Sequence, residues 1–295
     1  MITQSITNDR PDTVTVTFEC SNKCNYSCWY CPPDLHNGSS PWPDLEQSLR
    51  FFCQLAEDNQ SVYLDLAGGE PTMWPGLIDF LSALPSNVRH ELSTNASRTL
   101  RWWKTAKPHL HKVSISLHSE LCDAAHVISV IDLLRDSVEV HVTALLDLRF
   151  KQDIAEFGAE MKARGVSFQA KPIIPGWDVL IDYSAGDREF MDSLMVKGAS
   201  NANDIKPSKV IWDGVVLHPS RDIIMQGKNM FRGWRCSVGS TRFHIAHDGV
   251  IYAGSCRNKQ IGTLSTGWQI ERSAITCMRD RCWCGDDIKT AKHLP

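Results

Sequence analysis

The chain has 295 residues, 42% of them hydrophobic, and a formal net charge of −3 at pH 7. This length suits one large domain, or a domain of about 200 residues with a smaller appendage. The slightly acidic balance argues against a surface that binds polymeric nucleic acid, and no apolar stretch is long enough to cross a bilayer. Because the first ten residues are polar and lack the apolar run of a secretory leader, we expect a cytoplasmic protein.

Strand and helix patterns alternate through the first 170 residues. Alternating, β-branched segments predict strands, and apolar residues at helical spacing predict helices. The predicted strands are 13–19, 61–66, 88–93, 112–117, 138–145 and 166–170, and the helices are 45–56, 75–84, 97–106, 121–134 and 153–164. This alternation predicts an α/β fold with a parallel sheet, either an open barrel of six units or a doubly wound sheet. In both folds ligands bind at the carboxyl ends of the strands.

A different pattern begins near Lys171, where the alternation stops. Residues 172–186 are predicted to be a loop, 187–196 a helix and 198–208 a polar linker. The segments 242–246 and 250–253 flank Asp248-Gly249, a strong signal for a β-hairpin turn. Residues 268–275 are predicted to form a short helix.

Eleven cysteines are many for a cytosolic chain, and most of them are grouped. Disulfide frameworks are typical of short secreted proteins, so grouped thiols in a reducing compartment indicate metal binding instead. Cys53 and Cys122 stand alone and are interpreted as small packed residues. The first group contains Cys20, Cys24, Cys28 and Cys31, and the second contains Cys236, Cys256, Cys277, Cys282 and Cys284.

The first group has the spacing of an iron–sulfur loop. Cys24, Cys28 and Cys31 could bind three irons of a [4Fe–4S] cube and leave the fourth open to an outside ligand. Ordinary electron-transfer clusters are closed by four cysteines, so three thiols suggest chemistry at the open iron. A zinc site with Cys20 as the fourth ligand is the alternative.

Polar and glycine residues follow the predicted strands. Gly68-Gly69-Glu70-Pro71 comes directly after the second strand, where two glycines allow a ligand to approach the backbone and Glu70 suits an ammonium group. Tight turns and helix caps are the plainer interpretation. Because parallel strands end at one edge, these residues should converge with the cysteine loop. The others are Thr94 and Asn95 after the third strand and Ser116 at the end of the fourth.

Together these motifs resemble those of the radical S-adenosylmethionine (SAM) superfamily. The C-x3-C-x2-C loop of Cys24–Cys31 is the most specific part, and Gly68–Pro71 is similar to the family's GGE motif. The resemblance covers roughly residues 13–171 and implies a partial parallel (β/α)6 barrel related to the TIM barrel. It also implies that Cys24, Cys28 and Cys31 hold a [4Fe–4S] cluster whose open iron binds SAM. Reductive cleavage of SAM would then give a 5′-deoxyadenosyl radical that abstracts a substrate hydrogen.

The resemblance further implies which residues contact SAM. Tyr30 would pack near the adenine, and the GGE motif would hold the methionyl amine. Ser93-Thr94-Asn95 resembles the family's third strand end, and Ser116 begins a segment similar to its S-L-D-S sequence, with His118 in place of the acid. The SAM-binding residues expected from this resemblance are Tyr30, Gly68, Gly69, Glu70, Pro71, Thr94, Asn95 and Ser116.

The second cysteine group resembles the twitch domain, the shorter form of the SPASM extension of this superfamily. The resemblance implies a second [4Fe–4S] cluster on Cys236, Cys256, Cys282 and Cys284, with Cys277 in reserve. A structural zinc site is the alternative. The expected division is a radical SAM core at 10–190, a linker or covering segment at 191–233, and a small α+β twitch-like domain at 234–295.

The substrate is not specified by these motifs. Few residues precede the first strand, so we expect no leader-recognition domain, which favours a small molecule such as a nucleotide or sugar over a peptide or protein. The resemblance also implies a flavodoxin- or ferredoxin-type electron donor. The rival interpretation, a non-catalytic zinc or iron–sulfur protein, leaves Gly68–Pro71 and the open-iron spacing unexplained.

Overall fold

A ten-stranded sheet and a smaller six-stranded sheet organise the chain. The computed structural model describes residues 4–175, 181–198, 205–270 and 272–295, and at positions 220 and 221 the backbone only. The strands are β1 (Ser5–Asn8), β2 (Thr13–Glu19), β3 (Ser61–Ala67), β4 (Val88–Thr94), β5 (Lys112–Leu117), β6 (Glu139–Leu146), β7 (Ser167–Pro172), β8 (Val210–Trp212), β9 (Val215–Leu217), β10 (Arg235–Cys236), β11 (Arg242–Ile245), β12 (Val250–Ala253), β13 (Gln260–Thr263), β14 (Gly267–Trp268), β15 (Ile275–Thr276) and β16 (Lys292–His293). The helices are α1 (Leu45–Asp58), α2 (Leu77–Ala83), α3 (Leu100–Ala106), α4 (Ala124–Leu134), α5 (Lys151–Ala163), α6 (Ala185–Ser193) and α7 (Gly285–Lys289).

The parallel barrel strands β2 to β7 lie side by side in chain order, which confirms the predicted α/β fold. Their apolar residues pack against the intervening helices around fully buried side chains such as Phe18, Phe80 and Trp103. The helix starts follow local capping, as at α1, where the Asp44 carboxylate accepts a hydrogen bond from the Gln47 backbone at 2.8 Å. This packing fixes the carboxyl ends of six strands at one edge.

The other face of these strands is polar. In β5 and β6 buried apolar residues alternate with half-buried polar ones. Lys206 enters this polar interior, and its ammonium lies 2.6 Å from Asp65 and 2.9 Å from Glu91. The interior of the barrel is therefore suited to polar ligands, while its outer face forms the hydrophobic core.

The C-terminal hairpin continues the barrel sheet. β11 pairs in parallel with β2, and β12, β13 and β14 follow it in antiparallel order. The predicted turn is present, with Gly249 at a φ of 80° that favours glycine. The second cysteine group is consequently attached to the strand that leads into the first cysteine loop.

The six-stranded sheet, in the order β15-β10-β16-β1-β8-β9, was not expected from the sequence. Its strands have only two to four residues each, and it covers a small core that includes Phe231, Trp234 and Ile288. The predicted helix at 268–275 is wrong, because Trp268 lies in β14 and Ile275 in β15. None of the described helices has the length and apolar character needed to cross a membrane.

Candidate functional site

A cavity of about 330 Å³ opens at the carboxyl ends of the barrel strands. The strands bring the first cysteine loop, the glycine loop and the ends of β4 and β5 to its wall. Pro71 is buried beside the cavity and is not among the residues that line it. The lining residues singled out from the sequence are Cys24, Cys28, Tyr30, Cys31, Gly68, Gly69, Glu70, Thr94, Asn95 and Ser116.

Both glycines of the GGE loop are required because the backbone of the cysteine loop lies too close to allow a side chain. A Cβ at Gly68 would lie 2.4 Å from the carbonyl oxygen of Ser21, and one at Gly69 would lie 2.3 Å from that of Lys23. The close approach allows hydrogen bonds from Gly69 N–H to Ser21 O and from Glu70 N–H to Lys23 O, both 2.7 Å. The glycine loop therefore positions the backbone just ahead of Cys24.

Glu70 is a buried acceptor that joins β3 to β4. Its Oε1 accepts from the Thr72 backbone at 3.0 Å and from the hydroxyls of Thr72 and Thr94 at 2.5 and 2.7 Å. Its Oε2 accepts from the Asn95 backbone at 2.7 Å. Burial raises the pKa of Glu70, opposed by these hydrogen bonds. Each carboxylate oxygen has about two lone-pair positions, so Oε1 is saturated and Oε2 keeps one position for a further donor.

Tyr30 and His118 form a stacked pair beside Cys28. The Tyr30 hydroxyl lies 2.5 Å from His118 Nδ1, and the rings stack at 19° with centroids 6.0 Å apart. Burial lowers the pKa of His118 to about 4, so the ring is neutral at pH 7 and can accept from the hydroxyl. His118 also lies 3.5 Å from the Cys28 sulfur. The sequence analysis identifies His118 only as a departure from the family pattern. Its position directly after β5 is the sequence signal that places it at this site.

Burial favours the protonated form of the thiols in the first cysteine loop. Burial raises the pKa of Cys24 to about 11 and that of Cys31 to about 12. Metal ligation needs thiolates, so binding iron must release the protons of these thiols. Cys20 is fully buried at the end of β2 and does not line the cavity.

The second cysteine group converges on a small pocket of about 20 Å³. Cys236, Cys256 and Cys282 line it as expected, and Cys277 is the fourth thiol. Cys284 directly precedes α7 and is not among the residues that line the pocket, and burial raises the pKa of its thiol to about 11. The structure thus groups the reserve cysteine with three of the four predicted ligands.

Asp287 holds the Cys256 loop in place. Its carboxylate accepts from the backbone N–H groups of Ser255 at 3.0 Å and of Cys256 at 2.6 Å. Arg242, fully buried, donates to Asp287 at 3.3 Å and to the hydroxyl of Thr17 in β2 at 2.6 Å. The second cysteine pocket is therefore tied to the first barrel strand.

All eleven cysteines are unpaired. Within the described parts of the chain, no group of three or more His, Cys, Asp or Glu is arranged to hold a metal ion as it stands. Each candidate metal site is therefore indicated by the thiols that line one cavity and by the residues around them.

Comparisons with known proteins agree with this arrangement. Residues 18–156 match the radical SAM superfamily. A 127-residue stretch is 31% identical to the GTP 3′,8-cyclase of Helicobacter pylori. The match spans 40% of this chain and 39% of the relative, so it covers about two fifths of the relative's length.

Solved structures show the same fold. The structure "Native anSMEcpe with bound AdoMet" is 15% identical with a TM-score of 0.54, over 87% of this chain and 79% of that one. SuiB of Streptococcus suis bound to S-adenosylmethionine is 14% identical with a TM-score of 0.60, over 87% and 64%. At these identities the likeness establishes the fold, and the chemistry must be argued from the site.

Proposed function

Residues 18–156 match the radical SAM superfamily, and from that premise we propose that the chain cleaves SAM reductively and abstracts a hydrogen atom from a substrate. The residues at the cavity fit the groups that this chemistry needs. When bound, the [4Fe–4S] cluster supplies the electron and SAM supplies the 5′-deoxyadenosyl radical. The protein's part is to hold both groups, exclude water and orient the substrate.

One observation carries the proposal: three thiols of one loop and the ends of five strands, β3 to β7, line the same cavity. Cys24, Cys28 and Cys31 would hold the cluster. Tyr30, Gly68, Gly69, Thr94, Asn95 and Ser116 would contact SAM, since all of them line the cavity beside the thiols.

We assign Glu70 mainly a positioning role. Its carboxylate already accepts four hydrogen bonds from Thr72, Thr94 and Asn95, and only Oε2 would have a lone pair left for the SAM ammonium. Through these bonds it fixes the ends of β3 and β4 relative to each other. Pro71, buried behind the loop, supports the same turn.

The second proposed centre is an auxiliary [4Fe–4S] cluster on Cys236, Cys256, Cys277 and Cys282. Four thiols at one pocket satisfy the ligand number of a closed cluster. Its proposed role is to accept an electron from a substrate radical or to anchor the substrate. A structural zinc site on the same thiols is the alternative, and metal analysis separates the two.

We propose a small molecule, such as a nucleotide or sugar, as the substrate. The relative with 31% identity is named a GTP 3′,8-cyclase, which supports the nucleotide class. A peptide substrate is the alternative, because one structure of the same fold, SuiB, is bound to a precursor peptide. A cytoplasmic location is proposed because the free thiols and both clusters require reducing conditions.

The proposal is tested with protein reconstituted anaerobically with iron and sulfide. Dithionite and SAM should give 5′-deoxyadenosine, and a true substrate should increase its rate of formation. Per-deuterated GTP and a deuterated peptide library are compared, and transfer of deuterium into 5′-deoxyadenosine identifies the class. Absence of SAM cleavage by protein with a full cluster would refute the enzymatic function.

A further inference from the structure

Large apolar side chains are exposed on the segments beside the second cysteine pocket. Met278 follows Cys277 directly and is 61% exposed, and Trp283 follows Cys282 and is 41% exposed. Met230 is 58% exposed on the neighbouring segment. Large apolar side chains exposed together are unusual on a surface that contacts only water.

These residues share one face because two segments are joined through their backbones. Cys282 N–H donates to Asn229 O at 2.8 Å, and Cys277 N–H donates to Trp234 O at 2.8 Å. Gly233 N–H also donates to Cys277 O at 2.9 Å. The segments 228–234 and 277–283 therefore lie side by side, and Phe231, Cys277, Arg279 and Cys282 of these segments line the pocket. We call the exposed side of the two segments the pocket face.

Basic side chains are exposed on the same two segments of the pocket face. Lys228, Arg232, Arg279 and Arg281 are all exposed there, and Arg232 pairs with Asp280. The Arg279 guanidinium donates to the carbonyl of Cys256 at 2.8 Å, so positive charge reaches the edge of the pocket itself. The segments 228–234 and 277–283 contain these four basic residues and one acidic residue, Asp280, although the whole chain has 31 Lys and Arg and 34 Asp and Glu.

We propose that the pocket face is the docking surface for a small acidic one-electron carrier protein, which exchanges electrons with the cluster on Cys236, Cys256, Cys277 and Cys282. The inference rests on the auxiliary cluster of the proposed function. In the exchange the reduced carrier loses one electron and the oxidised cluster gains it, and no bond or proton is transferred. A small apolar patch with a charged rim is suited to the weak, fast encounters of redox partners.

Charge explains why the carrier should be acidic. Opposite charges steer association and raise the rate of encounter about tenfold to a thousandfold at low ionic strength. Asp280 is the acidic residue on the pocket face, and it lies against Arg232, so the four basic residues set the sign of the local field.

The test uses the reconstituted holoprotein and reduced flavodoxin as an acidic carrier in stopped-flow measurements. The double variant Lys228→Glu with Arg232→Glu should slow electron transfer at least about tenfold at low ionic strength. The difference should vanish near 1 M salt, where the Debye length is about 3 Å. The matched control, Lys104→Glu with Lys162→Glu on α3 and α5, makes the same charge change elsewhere and should keep the original rate.

Two further measurements isolate docking from folding and from the cluster. The charge-conserving double variant, Lys228→Arg with Arg232→Lys, should transfer electrons at the original rate. Titration with oxidised flavodoxin, in which no turnover occurs, should show weaker binding to the Glu variant. Reduction by dithionite and an iron content near eight per chain should be the same in every variant.

Equal flavodoxin rates in the Glu variant and the control, with both clusters present, would overturn the docking surface and leave the proposed function intact. A metal analysis showing no C-terminal cluster would instead refute the auxiliary site itself. Loss of binding to a single-stranded RNA oligonucleotide with unchanged electron transfer would show that the pocket face serves nucleic acid, which also overturns the proposal.

Discussion

The guanidinium of Arg257 lies 3.3 Å from the buried carboxylate of Glu19, and this pair connects the two cysteine-bearing segments. Glu19 ends the strand that leads into the first cysteine loop, and Arg257 follows Cys256. His244 lies 3.3 Å from the other carboxylate oxygen. Although burial opposes ionisation, the hydrogen bond from His244 and the nearby charges hold the pKa of Glu19 below its usual value. A charged group thus links the two proposed iron sites.

Glu19→Gln should lower the free energy of unfolding by about 1–3 kcal/mol, because Arg257 and His244 lose a charged partner in a buried place. It should also change the electron paramagnetic resonance spectra of both clusters. Urea unfolding gives the first quantity. Glu120→Gln is the control, since its ion pair with Arg149 is exposed and should contribute less than about 1 kcal/mol.

The triple variant Cys24→Ala, Cys28→Ala and Cys31→Ala should lose one cluster and all formation of 5′-deoxyadenosine. About four irons per chain should remain, held by the second pocket. Iron analysis and chromatographic detection of 5′-deoxyadenosine measure both effects. Retained SAM cleavage would mean that these thiols are not the ligands. Cys53→Ala, far along α1, is the control and should keep both clusters.

Glu70→Gln tests the positioning role of the GGE loop. A Gln amide retains one acceptor oxygen and presents an NH2 group to either Asn95 N–H or the Thr72 and Thr94 donors. One set of buried donors is then unpaired, which should cost about 1–3 kcal/mol of stability and weaken SAM binding about tenfold or more. Thermal unfolding and equilibrium dialysis with SAM give the two numbers, with exposed Glu57→Gln as the control.

Cys277→Ala and Cys284→Ala distinguish the two ligand sets for the second cluster. The pocket contains Cys277 and excludes Cys284, so the first variant should lose the auxiliary cluster and the second should retain it. Mössbauer spectroscopy of ⁵⁷Fe-reconstituted protein reports the cluster content. The opposite result would restore the ligand set expected from the sequence resemblance.

A pair of buried histidines should make the protein sensitive to mild acid. His90 and His111 lie with their Nδ1 atoms 2.9 Å apart, and burial is the main cause that lowers the pKa of His90 to about 3 and of His111 to about 4. Below about pH 6.5 the unfolded chain takes up protons that the folded chain cannot, so the free energy of unfolding decreases as the pH is lowered.

His90→Gln should therefore lose less stability than the original protein between about pH 7.5 and 5.5. Chemical unfolding at each pH measures the difference. The exposed His293→Gln should follow the original protein. If the free energies of unfolding of His90→Gln and the original protein change with pH in the same way, the two histidines do not have the lowered pKa values that the structure indicates.

The sequence predicts the barrel well because its signals are local. Alternating segments such as Val113–Leu117 and the Asp248-Gly249 turn specify their own structure, and the parallel order of β2–β7 follows from their alternation with helices. The meeting of Cys24 with Gly68 and Ser116 follows in turn from that order.

Other features depend on contacts distant in sequence. Whether Cys277 or Cys284 lines the second pocket depends on how the segment 277–284 packs, and the spacing of the cysteines does not reveal it. The six-stranded sheet is built from strands of two to four residues, too short for a periodic signal. The four acceptor contacts of Glu70 likewise depend on how closely β3 and β4 approach.

The parallel pairing of β2 with β11 also has a consequence for how the chain folds. Thr17 lies opposite His244, so the first barrel strand gains this neighbour only after most of the chain has been synthesised. Until then β2 is an open edge, able to pair with other strands. Contacts of such long sequence separation slow folding, so the nascent chain should depend on chaperones until residues beyond 245 emerge from the ribosome.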